Sequence, residues 1–334
     1  MHALSEFALK RPASLVEAAA LLAAEPLARL VAGGTDLLPN LRRGLERPPV
    51  LIDMSGLKSF GAIESATDGS LTLGAGLTLA KITTDATIAE RMPALREAAR
   101  SAAGPGHRTV ATLGGNLCQD TRCVFYNQSE WWRASNNYCL KRGGDTCHVA
   151  PEGNRCHAAF SGDLAPVLLA LGAEVELCSA RGERWIALDA MYRDDGAAHL
   201  TIERDELLSR VRIPAPAAGS ECRYHKARVR GAMDFPLAAV AVALALKDGR
   251  VTALRVGISG TNTHPLLLAG TAELVGEVMD EALVARVGKL VQKQVSPMRS
   301  TITPSNYRRQ VASALAQRLL RELAREAMQE SVQG

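Results

Sequence analysis

Aromatic residues are scarce in this chain, and charge of one sign does not dominate it. Phe, Trp and Tyr together make up 4% of the 334 residues, and the net charge is only +4. The basic residues are scattered rather than arranged in stripes, which argues against nucleic-acid binding. Otherwise 47% hydrophobic and 22% charged residues are typical of a globular protein. The length allows two or three domains, each with a core of its own.

Long apolar runs are also missing. No segment approaches the ~20 apolar residues that a membrane span requires. The first residues, MHALSEFALKRPASL, carry charge where a signal peptide would have its apolar centre. We therefore expect a cytoplasmic protein, whose thiols stay reduced. The seven cysteines, an odd number clustered mostly in one place, then favour metal binding over disulfides.

Signatures of catalysis within the chain are absent as well. There is no Ser-His-Asp or Cys-His order for nucleophilic catalysis and no carboxylate pair for acid–base chemistry. Neither a Walker loop nor the GxGxxG of a Rossmann fold occurs. The sequence therefore predicts no catalytic residue.

What stands out instead is the stretch from residue 118 to residue 160. It holds six aromatics and five of the seven cysteines, namely Cys118, Cys123, Cys139, Cys147 and Cys156. A long run without regular structure is usually either functional or disordered. Because disordered segments are poor in aromatics and cysteines, we expect an ordered loop held through its sulfurs.

The later four cysteines of this stretch form the pattern C-x15-C-x7-C-x8-C. Four thiolates can complete either a zinc site or an iron–sulfur cluster. The lack of a CxxC pair favours a cluster, and zinc stays open. Cys118 could replace Cys123, but a small residue packed behind a glycine turn is the simpler interpretation. Cys178 and Cys222 lie in strand-like runs and are expected in the core.

Two glycine pairs could bind a ligand through the main chain. One lies in Ala32-Gly-Gly-Thr-Asp36 and the other in Thr112-Leu-Gly-Gly-Asn116. Glycine lets backbone N–H groups approach a ligand, and a helix N-terminus favours phosphate. Each pair alone is typical of an ordinary turn, whereas two together could hold parts of one dinucleotide. Asp163 is either a helix cap or a ligand of sugar hydroxyls, and Lys226 either a solvated strand lysine or a ligand contact.

The periodicity predicts a mixed α and β chain. Ser14 starts a first helix through a capping box, Thr35 is a candidate N-cap, and Asp248-Gly249 joins two strands in a hairpin. Strands are expected at residues 49–53, 70–75 and 173–178, with a strand-like run at 109–117. Helices are expected at residues 80–103, 161–171, 280–294 and 304–328.

Taken in order, VAGGTDLL, ATLGGNL, SGDLAPVLLALGAEVEL, LLSRVRIP and the His-Lys-Ala-Arg strand before DFPLAAVAVAL resemble one family. They are similar to the FAD-binding medium subunits of the molybdenum hydroxylases, the group of xanthine dehydrogenase and carbon monoxide dehydrogenase. The resemblance covers about residues 5–325. It implies an α+β fold with a two-part FAD-binding domain, residues 1–57 and 58–216, followed by an antiparallel sheet and helices at 217–330.

The resemblance also implies which residues contact FAD. In the family the two glycine loops wrap the pyrophosphate, the aspartate after them binds the polar chain, and the ring lies between domains. The matching positions are Val31, Ala32, Gly33, Gly34, Thr35, Asp36, Leu37, Thr112, Gly114, Gly115, Asn116, Asp163, Leu208 and Lys226.

One segment, residues 119–160, departs from the usual pattern and is called the insertion below. It resembles the insertion of the 4-hydroxybenzoyl-CoA reductases, a branch of this family, where it binds an additional 4Fe-4S cluster. The matching ligands are Cys123, Cys139, Cys147 and Cys156. The chain would then relay electrons from ferredoxin through 4Fe-4S and FAD. Partner subunits, in a dimer of heterotrimers, would carry the 2Fe-2S clusters and the molybdenum for reductive dehydroxylation to benzoyl-CoA in anaerobic aromatic degradation.

Three alternatives stay open at this point. The chain could be the FAD subunit of a hydroxylase that delivers electrons to NAD or another acceptor, with a structural zinc in the insertion. The insertion could be a docking module whose metal only maintains its shape. The chain could also be a flavin oxidase that acts alone.

Overall fold

A computed structural model describes residues 4–333 of the chain, with side chains through residue 329. Residues 1–3, which belong to the predicted first subdomain, lie outside it. The described strands are β1 (Ala8–Lys10), β2 (Arg29–Val31), β3 (Val50–Asp53), β4 (Ile63–Ser65), β5 (Leu71–Gly74), β6 (Glu174–Ser179), β7 (Gly182–Ala187), β8 (Leu207–Ile213), β9 (Ser220–Ala227), β10 (Ala238–Lys247), β11 (Arg250–Ser259) and β12 (Leu266–Leu267). The described α-helices are α1 (Leu15–Ala24), α2 (Leu37–Arg42), α3 (Leu79–Thr84), α4 (Ala86–Arg91), α5 (Pro93–Ser101), α6 (Pro105–Arg108), α7 (Leu113–Leu117), α8 (Glu130–Ser135), α9 (Ala165–Ala170), α10 (Glu281–Gln294) and α11 (Ser305–Gln333).

The strands form three sheets. The first is parallel, with the order β1-β3-β2. The second is antiparallel, with the order β4-β5-β8-β6-β7, and the third is antiparallel, with the order β12-β11-β10-β9. Helices α10 and α11 pack together, and α11 packs on β9 and β10. The predicted α+β class, with a two-part first region and a C-terminal antiparallel sheet with helices, is confirmed.

Strand β10 connects the two large hydrophobic cores. Its side chains alternate between the faces of the third sheet, as a strand requires. Ala239, Ala241 and Ala243 lie in the core shared with the first two sheets, whereas Val240 and Val242 lie in the C-terminal core. Burial on both faces explains why the strand is a continuous apolar run rather than an alternating one.

Several local predictions are confirmed. Ser14 caps α1 by accepting a hydrogen bond from the Glu17 amide. Asp248 and Gly249 both have positive φ, 51° and 71°, which is the geometry of a tight hairpin turn between β10 and β11. None of the described helices is long and apolar enough to cross a membrane.

Two predictions around the glycine pairs are wrong. The run at 109–117 is not a strand, because α7 contains its glycines and Thr112 caps that helix by accepting from the Gly115 amide at 3.1 Å. Thr35 is not the N-cap of α2, since Asp36 occupies that position. Asp36 does not cap through its side chain either, because its carboxylate accepts from the Asp120 amide and pairs with Arg122.

The interpretations of Asp163 as a helix cap and of Lys226 as a solvated lysine are both wrong. Asp163 does not cap α9, whose N-cap is Leu164. Lys226 is not a solvated lysine of β9, because its side chain is 2% exposed and pairs with Asp163 at 2.8 Å.

Candidate cofactor sites

The two glycine pairs meet at one large cavity of about 670 Å³, here called the glycine cavity. Its volume lies within the range of sites for drug-sized ligands and cofactors. Most residues predicted to contact FAD line it, namely Val31, Ala32, Gly33, Gly34, Thr35, Asp36, Leu37, Thr112, Gly114, Gly115, Asn116 and Leu208. Segments far apart in sequence therefore form one wall.

Close backbone packing brings the two segments together. A Cβ on Gly33 would lie 1.9 Å from the carbonyl oxygen of Val110, just ahead of the second pair, so no larger residue fits without a backbone shift. Gly34 has a φ of +68°, a conformation that side chains disfavour. Both glycines of the first pair are thus required by geometry.

The first segment offers free backbone donors. Within the described residues, the amides of residues 33–36 donate no hydrogen bond. In contrast, the amides of Gly114 and Asn116 donate to Ala75 and Thr112. Unpaired amides ahead of a helix suit an anionic group such as a pyrophosphate.

Polar side chains on the same wall were missed by sequence reasoning. Buried Nε2 atoms of Gln119 and His199 and the buried Nε of Arg142 have no hydrogen-bond partner among the described residues. Burial, followed by the charge of Lys141, lowers the pKa of His199 to about 4, so the imidazole is neutral at pH 7. No motif marks these residues, because only the fold brings residue 199 to residue 119.

The remaining two predicted FAD residues are buried beside the glycine cavity rather than on its wall. Asp163 accepts from Lys226 and, at 3.2 Å, from the Tyr224 hydroxyl. Burial raises the pKa of Asp163, and the Lys226 charge opposes that effect. The connection to the wall is short, because the amide of Leu164 donates to the Asn116 side chain at 3.0 Å.

The insertion forms a second, much smaller cavity, here called the thiol cavity. Paired backbone hydrogen bonds between Arg122 and Ala159 join the two ends of the insertion. All four predicted ligands, 4–8% exposed, line this one cavity of about 10 Å³: Cys123, Cys139, Cys147 and Cys156. Cys118 lines the glycine cavity instead, where burial raises the pKa of its thiol to about 12.

The thiol cavity is apolar, and backbone donors approach its sulfurs. Burial raises the pKa of Cys123, while the amides of Phe125 and Tyr126 act in the opposite direction. Burial raises the pKa of Cys156 to about 12, and the Ala158 amide donates to its sulfur at 3.4 Å. All seven cysteines are free. Among the side chains that the structure describes, no group of three or more His, Cys, Asp or Glu is arranged to hold a single metal ion.

The two cavities share a wall made by Tyr126 and Lys141. Both residues line the glycine cavity and the thiol cavity. The Lys141 ammonium lies 4.4 Å from the centre of the Tyr126 ring. Arg142 joins the insertion to the end of α2 by donating to the Gly44 carbonyl at 2.9 Å, and the Val124 amide donates to Ser300 at 2.8 Å. The insertion is therefore attached to the domain that it interrupts and to the C-terminal region.

The glycine cavity, with unpaired main-chain amides on its wall, lies in an α+β region that is followed by an antiparallel sheet. Two family descriptions match the chain: "FAD binding domain in molybdopterin dehydrogenase" over residues 5–216 and "CO dehydrogenase flavoprotein C-terminal domain" over residues 223–323. The chain belongs to the FAD-binding subunits of the molybdenum hydroxylase family, which are oxidoreductase components.

Individual relatives agree with this assignment. The carbon monoxide dehydrogenase medium chain of Afipia carboxidovorans is 28% identical over 93% of this chain and 94% of its own length. The FAD-binding subunit of an aldehyde oxidoreductase from Escherichia coli (strain K12) is 31% identical over 78% of this chain and 82% of its own. In the crystal structure of quinoline 2-oxidoreductase from Pseudomonas putida 86, a chain aligns with a TM-score of 0.77 at 26% identity, covering 98% of this chain and 100% of that one.

Proposed function

We propose that this chain is the electron-transfer subunit of a molybdenum hydroxylase, with FAD in the glycine cavity and a 4Fe-4S cluster on the four cysteines of the insertion. One observation carries the proposal. Four buried thiols line a single cavity that shares a wall with the glycine cavity. The adjacent sites would suit an electron relay.

The residues of the glycine cavity fit FAD. The free amides of residues 33–36 would bind the pyrophosphate, and the side chains of Gln119 and His199 offer further polar contacts. Asp163 and Lys226 would act on the cofactor indirectly, by fixing Leu164 and through it Asn116. Bound FAD would supply one- and two-electron exchange, while the protein supplies position and electrostatics.

The donor set of the thiol cavity fits an iron–sulfur cluster. Such clusters are held by four cysteine thiolates, and hydrogen bonds to sulfur and burial tune their potential. Cys123 and Cys156 both receive backbone hydrogen bonds at sulfur. Because a cluster places each cysteine on a different iron, its ligands need not converge on one point.

The small volume of the thiol cavity favours a second candidate. About 10 Å³ leaves room for a single ion, whereas a cluster requires the four side chains to move outward. A single ion would in turn require the thiols to converge, because no group of described side chains is arranged to hold one. In that case the insertion would be a structural zinc site or a docking module. The subunit would serve a hydroxylase that passes electrons to NAD or another acceptor.

For the complete enzyme we propose 4-hydroxybenzoyl-CoA reductase, on the resemblance of the insertion. The partners would be a large molybdenum subunit and a small 2Fe-2S subunit, in a dimer of heterotrimers, with ferredoxin as donor. The reaction would remove the ring hydroxyl and form benzoyl-CoA and water. The seven free thiols suit the cytoplasm, where we place the complex.

Metal and sulfide analysis of the anaerobically purified complex tests the proposal. We expect about four iron and matching acid-labile sulfide per chain beyond the 2Fe-2S content, together with FAD. One zinc per chain in place of that iron would support the second candidate. Turnover of 4-hydroxybenzoyl-CoA with reduced ferredoxin tests the substrate separately, because a complex that holds both cofactors but reduces no acyl-CoA belongs to another member of the family.

A further inference from the structure

The wall between the two cavities contains a buried cation. The Lys141 side chain is only 6% exposed, and its ammonium donates to the Asp120 carboxylate and, at 3.3 Å, to the Thr121 carbonyl. The Thr121 hydroxyl also accepts from the ammonium, and the Tyr126 ring, over which the ammonium lies, is its fourth neighbour. Burying a lysine is costly unless its charge is compensated, so these contacts hold the ammonium in one position.

The carboxylate of Asp120, which pairs with Lys141, lies on the glycine-cavity side of the wall. Lys141 lines both cavities, whereas Asp120 lines the glycine cavity and is not part of the thiol cavity. Asp120 also receives hydrogen bonds from the Thr121 amide at 2.9 Å and from Asn40 at 3.5 Å. A group in the thiol cavity would therefore meet the cation with its counter-charge behind it, and a group in the glycine cavity would meet both charges.

Adding an electron to a centre makes its charge more negative. A fixed positive charge nearby stabilises the reduced form, and the effect is larger where water is excluded. We propose that Lys141 is a positioning residue that holds a positive charge between the two cofactors and makes both easier to reduce, while Asp120 limits this effect on the FAD side. This inference rests on the proposed function.

Redox titration of the intact complex with dithionite tests the inference. The cluster is followed by EPR and FAD by absorbance, in the wild type and in Lys141→Met. Without the cation we expect at least a tenfold decrease in the reduced-to-oxidised ratio of each centre at fixed potential. This equals about 59 mV for the one-electron cluster and about 30 mV for the two-electron flavin. Lys141→Arg should stay near the wild type, since it keeps the charge.

Asp120→Asn separates the two sides of the wall. It removes the negative charge that faces the glycine cavity, so it should make FAD easier to reduce and leave the cluster nearly unchanged. In the double variant Lys141→Met, Asp120→Asn, the FAD potential should return toward the wild-type value while the cluster potential stays low. Lys81→Met is the matched control, because Lys81 pairs with Asp85 at 3.2 Å on the surface.

The outcomes distinguish this inference from the proposed function. A wild-type complex without an extra cluster signal would overturn the proposed function. The inference alone would be overturned by a different result. In that case the cluster is present, and the potentials of the cluster and of FAD are the same in Lys141→Met as in Lys81→Met. If Lys141→Met cannot retain the cluster, the FAD potential of Lys141→Met and of Lys141→Gln still tests the inference. Both variants are neutral at this position, so an unchanged FAD potential contradicts the role of the charge.

Discussion

The glycine cavity and the thiol cavity are neighbours, but they are built in different ways. The glycine cavity has a volume of about 670 Å³. Part of its wall is backbone at Gly33, which approaches Val110 too closely for any residue with a Cβ. The thiol cavity has about 10 Å³ and depends on four side chains of one inserted segment. We infer that the glycine cavity tolerates changes of side chain but not a Cβ added to its glycines. The thiol cavity should be sensitive to changes of its four cysteine side chains and not to close backbone packing.

The largest expected effect is that of Cys139→Ser. Removal of one of four sulfurs should abolish the cluster, because a serine oxygen is a poor substitute for a thiolate ligand of iron. We expect the extra iron and sulfide of the purified complex to fall to background while the FAD content stays close to one per chain. Iron, sulfide and flavin assays on the same sample measure both.

Cys178→Ser and Cys118→Ser are the matched controls for this change. Cys178 is buried in β6 and Cys118 lines the glycine cavity, so both thiols lie outside the thiol cavity. Full iron content in both variants is expected. Loss of iron in Cys118→Ser would instead mean that Cys118 replaces one of the four ligands.

Gly33→Ala should produce the reverse pattern. Its Cβ would overlap the Val110 carbonyl, and relieving an overlap of this kind costs about 1–3 kcal/mol by moving the two glycine segments apart. We expect a tenfold or larger loss of FAD affinity with unchanged iron and sulfide. Flavin retention during gel filtration at decreasing concentration measures it.

Gly56→Ala is the control, because a Cβ there meets no atom within 4 Å. Equal flavin retention in Gly33→Ala and Gly56→Ala would show that the close approach at Val110 is not needed for the cofactor. The contrast between backbone-built and side-chain-built sites would then be wrong.

Sequence reasoning found the thiol cavity more directly than the glycine cavity. The four cysteines can be identified by residue type, and the fold only has to bring them to one cavity. The shape of the glycine cavity depends on Gly33 packing against Val110, a contact across the chain that no local pattern reveals. Strand-forming Thr and Val at 109–112 also predicted the wrong element, since Thr112 acts as a helix cap there.

The buried lysines could not have been predicted from the sequence either. Lysine is almost never fully buried unless it is paired, so Lys141 and Lys226 look like surface residues in isolation. Lys141 meets Asp120, and Lys226 meets Asp163, only after the insertion and β9 have folded against the FAD-binding region. The shared wall between the cavities therefore emerges from the structure alone.

At the ion pair beside the glycine cavity, the expected effect is on the stability of the fold rather than on a cofactor site. Lys226→Met leaves Asp163 buried without its cation, which should lower the free energy of unfolding by about 3–5 kcal/mol. The variant Lys226→Met, Asp163→Asn should recover part of this loss, since no buried charge is left alone. Chemical denaturation of the complex, with flavin fluorescence as the signal, compares them. If Lys226→Met is as stable as the wild type, Asp163 is neutral in the folded protein.

The smaller of the two stability effects is the pH dependence of the free energy of unfolding that His199 produces. Its pKa is about 4 in the folded chain, below the ordinary value of 6.5, because burial disfavours the imidazolium. As pH falls below 6.5, the unfolded chain takes up a proton that the folded chain does not. Stability should therefore be constant for this group above pH 6.5 and decrease toward pH 4, by about 3 kcal/mol in total and about 2 kcal/mol by pH 5.

His199→Gln removes this titration, so the variant should lose less stability than the wild type between pH 7.5 and pH 5. Thermal unfolding of the complex at the two pH values, followed by flavin release, measures the difference. The exposed His107 provides the control variant, His107→Gln, which should follow the wild type. Parallel losses in all three proteins would mean that the pKa of His199 in the folded chain is near its ordinary value of 6.5, so that the imidazole is protonated at pH 5. The glycine cavity would then hold a positive charge on its own wall, and a side chain would matter there as it does in the thiol cavity.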